Sequence, residues 1–506
     1  MPDASRSLPS HPSLRYLQLE ARRRRAAGEF PALHDAQAAV AREYGQPRWA
    51  ALRQLISDPP PEGHALAQLR WVIARFRDAD SPGWTPPGDA ELREHFDDGF
   101  RAALPPGDLI ATIAGVAADL REDLAVVGQV PLQAHVRVGG LDVFASAAAD
   151  PPHRLTGLQA LPAPGRIADA RVAAPPPART DGDVPAGLTG VTDEAFAELG
   201  LAALALAGGV PGGPAWVIAQ GWADLDRGEI LGTGHRFPAS GATALVTATA
   251  VLRLVAGGVV ALDGRANDHL RAVRLADDTV TVRELLTHTA GVNSPPAAAM
   301  MTDSVPELVT LTGPVLGCDG PRGAVRPSNG GYAALGQLIA DVTGSPYAAA
   351  AAALVLEPLG MSGSSFPARP ADIGPGAVTG YRVTRAGALA PAGPMISALP
   401  AAAGLWAPPA DLVRLGTGWS SLLPAALADE ALTPQTAATP GQPRAGLGWI
   451  ISPRGDIGLH AGAQPGATAA VLVRIRDRQA RVTMTSALTS LEAVHDRVLR
   501  AWGAPS

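Results

Sequence analysis

Ser240 is the first residue of this sequence whose surroundings suit a nucleophile. It ends the tetrapeptide FPAS, and an apolar stretch with helical spacing extends from there to Gly264. The first N–H groups of a helix have no partner within the helix, so a serine at a helix start lies beside donors that can stabilise an oxyanion. The hydroxyl becomes reactive only when a neighbouring group accepts its proton.

Few side chains can accept that proton. The sequence contains no lysine, so all 41 residues counted as lysine or arginine are arginines. This excludes a lysine general base and a Schiff-base lysine. Thr243 follows one helical turn after the serine, and its hydroxyl cannot act as a base at neutral pH. The eleven histidines remain as candidate bases, because histidine titrates near neutrality.

Composition narrows the classes of function. Hydrophobic residues make up 47% and charged residues 17% of the chain, and the formal net charge is −6. These values are typical of a globular protein and favour neither nucleic acid nor a membrane as partner. The eleven histidines form no metal-ligand motif, so we expect no metal and no cofactor. The single cysteine, Cys318, excludes an internal disulfide and is expected to be an inert thiol.

Four segments are expected from the patterns along the 506 residues. A helical segment is predicted for residues 1–57, a small α+β domain for 64–167, an extended or mobile linker for 168–187 and a large domain for 188–506. The N-terminus does not have the order of a signal peptide, and no apolar run reaches transmembrane length. We therefore expect a cytoplasmic protein.

The large domain resembles a known family through several phrases that occur in the family's order. FPASGAT is followed by TVRELLTHTAGV, PSNGGYAALGQLIADVTGSPY, LEPLGMSGSSF and GLGWIISPRGDIGLHAGAQPG. Together they resemble the class C β-lactamase, D-alanyl-D-alanine carboxypeptidase and esterase family. The resemblance implies an α+β domain with a five-stranded antiparallel sheet, flanking helices and a helical lobe. The family's site lies in the groove between sheet and lobe.

The family's proton-handling residues are missing from the matching positions. Members carry Ser-x-x-Lys at the nucleophile helix, where this chain has Ser240 and then Thr243. They carry Tyr-x-Asn in a loop of the helical lobe, where Pro327 replaces the tyrosine and Asn329 keeps the amide. His288, within LTHTAGV, is expected to lock a loop by hydrogen bonds rather than to act as a base.

The third family motif is a strand that carries Lys-Thr-Gly or His-x-Gly. His460 and Gly462 match the second form, and the resemblance assigns Gly462 to substrate binding. The backbone N–H groups of Ser240 and Ala463 would form the oxyanion hole.

Three functional hypotheses follow. The leading one is a serine hydrolase scaffold with impaired or lost hydrolysis, whose groove still binds an ester, amide or lactam. The second is an active esterase, amidase or β-lactam hydrolase that uses Ser240 with His460 as base. The third is a non-catalytic pathway-accessory or interaction protein that contacts a protein partner through its N-terminal helical segment.

The small domain also carries a resemblance. The phrase HFDDGFRAALPPGDL is similar to the steroid-isomerase-like domain that precedes the hydrolase domain in cephalosporin-esterase-like proteins of clavulanate gene clusters. A packing or lid role is expected for it, because no pair of an acid and a tyrosine is evident.

Overall fold

The structure is a computed structural model of the 506-residue chain. It describes residues 14–43, 48–50, 52–53, 63–104, 106–130, 132–148, 151–163, 167, 169–188, 190–295, 300–320, 322–384, 387–393, 396–437, 444–487, 494–495 and 498–499. The chain forms two compact units, Met1–Leu161 and Pro162–Ser506.

The first unit places its helices before its strands. Its helices are α1 (Leu14–Ala26), α2 (Leu33–Glu43), α3 (His64–Phe76), α4 (Asp89–His95), α5 (Asp98–Ala103) and α6 (Pro106–Ala114). Its strands are β1 (Leu124–Val130), β2 (Gln133–Val138), β3 (Leu141–Ala147) and β4 (Leu155–Pro162), in the sheet order β1-β2-β3-β4. The apolar face of α3, which includes Leu69 and Phe76, packs with inward residues of β2 and β3. The unit therefore combines helices with an antiparallel sheet, and the steroid-isomerase-like identity of its small domain stays a prediction.

The second unit carries the larger sheet and most of the helices. Its strands are β5 (Arg179–Asp181), β6 (Ala203–Gly209), β7 (Trp216–Asp224), β8 (Glu229–Ile230), β9 (Phe237–Pro238), β10 (Arg274–Leu275), β11 (Met301–Thr302), β12 (Val315–Leu316), β13 (Tyr381–Val383), β14 (Leu389–Pro391), β15 (Ile396–Ser397), β16 (Trp406–Ala407), β17 (Arg444–Ala445), β18 (Ile450–Ile451), β19 (Ile457–Gln464), β20 (Ala467–Arg474) and β21 (Ala480–Thr485). Its helices are α7 (Val191–Leu199), α8 (Ala244–Ala256), α9 (Val282–Leu286), α10 (Leu308–Thr312), α11 (Asn329–Thr343), α12 (Tyr347–Ala351), α13 (Pro400–Ala403), α14 (Pro409–Gly418) and α15 (Ala425–Ala431).

The main sheet has the order β17-β18-β19-β20-β21-β6-β7-β5, with β8 paired to β7. The five long strands β19, β20, β21, β6 and β7 pair antiparallel with their neighbours, as expected for the family's sheet. The four short strands bring the total to nine. The two inner strands β20 and β21 are buried almost throughout, which fits their apolar sequences.

The two faces of the sheet support different layers. Val471 and Val482 belong to the large core that also contains the helices α8 and α11 of the helical lobe. Leu204 and Ile218 belong to a second core with α7 on the opposite face. This arrangement follows from the alternation of side chains along a strand. It sets α8, and the turn before it, against the same face of the sheet as the lobe.

The predicted linker, residues 168–187, contains regular structure among its described residues. Strand β5 lies inside residues 168–187 and pairs antiparallel with β7. Val172 packs in a small core with Tyr381 and Leu389. Arg171 forms an ion pair with Asp169 at 2.7 Å and donates to the Leu389 carbonyl at 2.7 Å. The segment lies within the second unit and includes extended backbone at β5, while the predicted division of the chain into a linker and a domain at residue 188 stays a prediction.

The length and hydropathy of the described helices bear on whether any of them could cross a membrane. Among them, no single helix is long and apolar enough to cross a bilayer, while the bent pair Asn329–Thr343 and Tyr347–Leu356 reaches the required length and composition together.

Candidate active site

The turn that carries Ser240 lies directly against strand β19. Residues Ser240–Thr243 form a single 3-10 turn that continues into α8. A Cβ atom added to Gly241 would lie 2.7 Å from the Ala461 carbonyl oxygen, and one added to Gly462 would clash with the backbone nitrogen of Gly241. The turn and the strand are this close only because both contact positions are glycines.

Ser240 is buried at this contact. Its exposed fraction is 1%, and its Oγ has no hydrogen-bond partner among the described residues. Its backbone φ of 47° lies in the left-handed region, which is strained for a residue with a side chain. The hydroxyl therefore faces protein rather than a space that a substrate could enter.

The position of the turn that reaches solvent is the next residue. Gly241 is partly exposed, whereas residues 242–250 are all buried. Ala244 follows Gly241 by one helical turn and is 3% exposed. Counted from either residue, the turn lacks a serine and an amine on one accessible helix face.

Thr243 has a structural role. Its side chain is fully buried, and its Oγ1 accepts the Leu405 N–H at 3.2 Å. Leu405 directly precedes β16, which pairs antiparallel with β9. The threonine thus ties the start of α8 to the adjacent chain, at the position where the family's lysine is expected.

His460 lies on β19 and faces the helical lobe. Its Nδ1 is 2.8 Å from the Gly448 carbonyl oxygen, and since a carbonyl only accepts, Nδ1 carries the proton and Nε2 is the acceptor. Burial lowers the pKa of His460, so the ring is neutral. Among the described residues, Ser240 Oγ has no hydrogen bond to this ring or to any other group. The contact that a Ser240–His460 pair would need is therefore absent.

His288 locks the loop before α11, as predicted. Its Nδ1 accepts the Ser328 N–H at 3.1 Å, and its ring packs 4.8 Å from the ring of Tyr332. Burial, with a smaller contribution from His460, lowers the pKa of His288 to about 3. A histidine of this kind stays neutral and carries its proton on Nε2.

The loop that matches Tyr-x-Asn offers solvent only one of the family's two polar side chains, the amide of Asn329. Pro327 and Asn329 are both exposed, and Asn329 begins α11 with its backbone N–H bonded to Ser294 Oγ at 2.9 Å. Ser328 caps the helix by accepting the Gly331 N–H at 3.0 Å. The amide side chain of Asn329 is thus accessible, and the proline offers no proton-handling group.

Tyr332 does not replace the missing phenol. It is 1% exposed, donates from Oη to the Leu286 carbonyl at 3.2 Å, and its pKa is raised by burial. Its hydroxyl stays protonated and is engaged in the lobe.

The end of strand β19 adds a group that motif comparison missed. Gln464 lies on the same face of the strand as His460 and Gly462, two residues beyond the glycine. It is 8% exposed, and neither atom of its amide has a hydrogen-bond partner among the described residues. Its period-two spacing from His460 is the sequence signal that could have drawn attention to it. Ala463, on the opposite strand face, is exposed.

Metal binding gains no support from the described part of the chain. There, no group of three or more His, Cys, Asp or Glu side chains is arranged to hold a metal ion.

Comparison with known proteins identifies the family. The sequence model of the family described as Beta-lactamase matches residues 188–502. The chain belongs to the beta-lactamase family. Esterase EstB from Burkholderia gladioli is 32% identical over 172 residues, which cover 29% of this chain and 43% of the esterase. The match therefore spans less than half the length of that curated relative.

Solved structures show the same beta-lactamase-family fold. The penicillin-binding protein from Bacillus halodurans has a TM-score of 0.53 at 19% identity and covers 62% of this chain and 98% of its own. The D-amino acid amidase from Ochrobactrum anthropi SV3, complexed with L-phenylalanine amide, has a TM-score of 0.53 at 22% identity, with coverages of 63% and 97%. At these identities the likeness establishes the fold alone. The second unit has the fold of a beta-lactamase-like serine hydrolase.

Proposed function

We propose that this protein is a beta-lactamase-family scaffold that binds a ligand without hydrolysing it. The observation that carries the proposal is the buried Ser240 hydroxyl, which has no hydrogen-bond partner among the described residues. A serine nucleophile needs access to its substrate and a base within hydrogen-bond reach. This hydroxyl has neither.

The magnitude of the loss supports the same conclusion. A positioned general base contributes about two to four powers of ten to the rate. Thr243 and Pro327 stand where the family's lysine and tyrosine are expected, and His460 holds its proton toward Gly448. Groups that act as a unit fail together, so the loss of two of them leaves little catalysis to be expected.

The contact between Gly241 and Gly462 works in the same direction. An acyl group on the turn needs room between the turn and β19, and there the two backbones already touch. Hydrolysis would require the strand to move away from the turn.

The groove keeps groups that suit an ester, amide or lactam ligand. Asn329 presents an accessible amide, and His460 presents an acceptor nitrogen toward the lobe. Ala463 is exposed at the strand edge where a backbone N–H could meet a ligand carbonyl. These are recognition groups, and none of them requires a reactive serine.

Covalent labelling tests the proposal. The full chain is incubated with a fluorophosphonate and, separately, with benzylpenicillin, and its intact mass is measured beside an active serine β-lactamase treated identically. We expect the active enzyme to gain one adduct and this protein to gain none. Stoichiometric acylation that disappears in Ser240→Ala would overturn the proposal.

Turnover separates the proposal from an active esterase. We expect no release of p-nitrophenol from p-nitrophenyl acetate above the rate of Ser240→Ala. If wild-type turnover exceeded that rate and was lost in both Ser240→Ala and His460→Ala, the second hypothesis, with His460 as base, would replace the non-hydrolytic one.

A further inference from the structure

A cavity lies on the face of the main sheet opposite Ser240. Along β7, Val217 and Ala219 face the large core that contains α8, while Trp216 and Ile218 face the core of α7. Gln220 continues the second set by strand alternation. The cavity has a volume of about 490 Å³, within the range of roughly 300–1,000 Å³ of small-molecule sites. Its lining includes Asp169, Val172, Pro175, Asp193, Phe196 and Gln220.

Gln220 supplies an unused acceptor to the lining. The side chain is 3% exposed, and its Nε2 donates to Asp193 Oδ1 at 2.7 Å. Because a carboxylate only accepts, this bond fixes the orientation of the amide. The remaining atom, Oε1, has no hydrogen-bond partner among the described residues. A buried carbonyl oxygen without a donor is costly and indicates a missing partner.

Asp193 supplies a negative charge beside that acceptor. No arginine or histidine of the described residues forms an ion pair with it. Asp193 also lies in the first turn of α7, where a carboxylate offsets the helix dipole. The dipole accounts for the carboxylate but not for the unpaired Gln220 carbonyl, so the two observations are independent.

The rest of the lining is apolar and held in place. Val172, Pro175 and Phe196 contribute hydrocarbon walls. Asp169 is the other carboxylate, and it is already paired with Arg171 and accepts the Leu389 N–H at 2.8 Å. Its ion pair fixes the wall that carries Val172. Among the residues that the structure describes, the lining contains no cationic side chain.

We propose that this cavity binds a small organic ammonium ion with an apolar body. An ammonium group has several N–H donors, so a single one can bond to both the Asp193 carboxylate and Gln220 Oε1. The apolar body would occupy the space between Val172 and Phe196. An anion finds no cationic partner among the described lining residues, and a bare divalent cation would need more oxygen ligands than those residues provide.

Calorimetric titration of the full chain tests the site. The probes are 2-phenylethylammonium chloride, the neutral 2-phenylethanol and the anion 3-phenylpropanoate. We expect saturable binding of the ammonium, at least about tenfold tighter than that of the alcohol, and no binding of the anion. Asp193→Asn keeps an acceptor for the Gln220 amide and should weaken the binding of the ammonium by about tenfold or more.

Matched variants separate the site from general charge. Glu194→Gln removes the same charge from the next residue, which does not line the cavity, and should leave the affinity within about twofold. Gln220→Met removes the acceptor at similar volume and should also weaken binding, with thermal unfolding confirming that each variant is folded. Absence of saturable ammonium binding, equal affinity for the alcohol, or an equal effect of Glu194→Gln would each refute the site.

Discussion

His288 and His460 lie 6.2 Å apart between their ring centroids, and burial keeps both of them neutral. The backbone assigns them opposite roles. His460 donates a hydrogen bond from Nδ1 to the Gly448 carbonyl, which leaves Nε2 as an acceptor. His288 accepts the Ser328 N–H at Nδ1, which leaves the proton on Nε2 as a donor. Neutral rings of fixed polarity can recognise ligands, but neither ring forms a hydrogen bond with Ser240 Oγ.

The depressed pKa of His288 predicts a pH-dependent stability. The unfolded chain binds a proton near the ordinary pKa of about 6.5, and the folded chain does so only near 3. Stability is therefore complete above pH 6.5 and falls as the pH drops through the window between the two values. The slope for this one group is about 1.4 kcal/mol per pH unit.

His288→Asn isolates this contribution, because asparagine keeps an acceptor for the Ser328 N–H. The free energy of unfolding is measured by urea titration at pH 8, 7.5 and 5. We expect the deficit of the variant relative to wild type to shrink by about 2 kcal/mol between pH 7.5 and 5. Between pH 8 and 7.5 the deficit should be constant, and an unchanged deficit at pH 5 would contradict the assignment.

The sequence alone identifies Thr243 and Pro327, because a missing motif residue is visible without coordinates. It cannot reveal that Ser240 is buried while Gly241 is partly exposed. Adjacent residues of a helix point about 100° apart, so the accessible residue depends on how the turn is rotated against β19. That rotation is set by tertiary contacts, so it cannot be predicted from the sequence motif.

At the scale of elements, the contact between the Ser240–Thr243 turn and β19 determines how much space lies between the two. The strand approaches the turn through Gly462, and the turn meets it through Gly241. Strand pairing across the sheet holds β19 from its other side, since all eight of its residues pair with β20. A shift of β19 away from the turn would therefore disturb its pairing with β20.

Gly462→Ala tests the tightness of this contact. A methyl group at this position meets backbone atoms of Gly241, which cannot rotate away as a side chain could. We expect a loss of about 1–3 kcal/mol in the free energy of unfolding, as is typical of overpacking. Gly234→Ala is the control, because an added Cβ there meets nothing within 4 Å. Equal effects of the two substitutions would show that the contact is loose.

Helices and strands with strong apolar periodicity can be predicted from the sequence, whereas a short exposed strand without such periodicity cannot. The long strands β20 and β21 and the helix α8 carry clear apolar patterns, and the family resemblance fixed their order. Strand β5 has the sequence Arg-Thr-Asp, all three residues exposed, between proline-rich and glycine-containing stretches. Such an edge strand is defined by its pairing with β7 and has no pattern of its own.

At the scale of the whole molecule, the boundary between the two units lies earlier than the family match begins. The beta-lactamase family match starts at residue 188, whereas the second compact unit starts at Pro162. The residues between these points contribute β5, the Asp169–Arg171 ion pair and Val172. They also form one wall of the cavity beside Gln220.

Two truncations therefore differ in stability, although both keep the entire family match. A chain of residues 162–506 retains β5 and the small core around Val172, whereas a chain of residues 188–506 exposes the edge of β7 and loses Arg171 as partner of the Leu389 carbonyl. We expect the midpoint of thermal unfolding of the shorter chain to lie about 5 °C or more below that of the longer one. Since about 1 kcal/mol moves the midpoint by roughly 2–4 °C in domains of about 150–250 residues, and by less in larger ones, this shift corresponds to a loss of more than about 2 kcal/mol. Calorimetry of both chains beside the full protein measures the difference. Equal midpoints would mean that residues 162–187 do not stabilise the second unit, and that the cavity wall they form is dispensable.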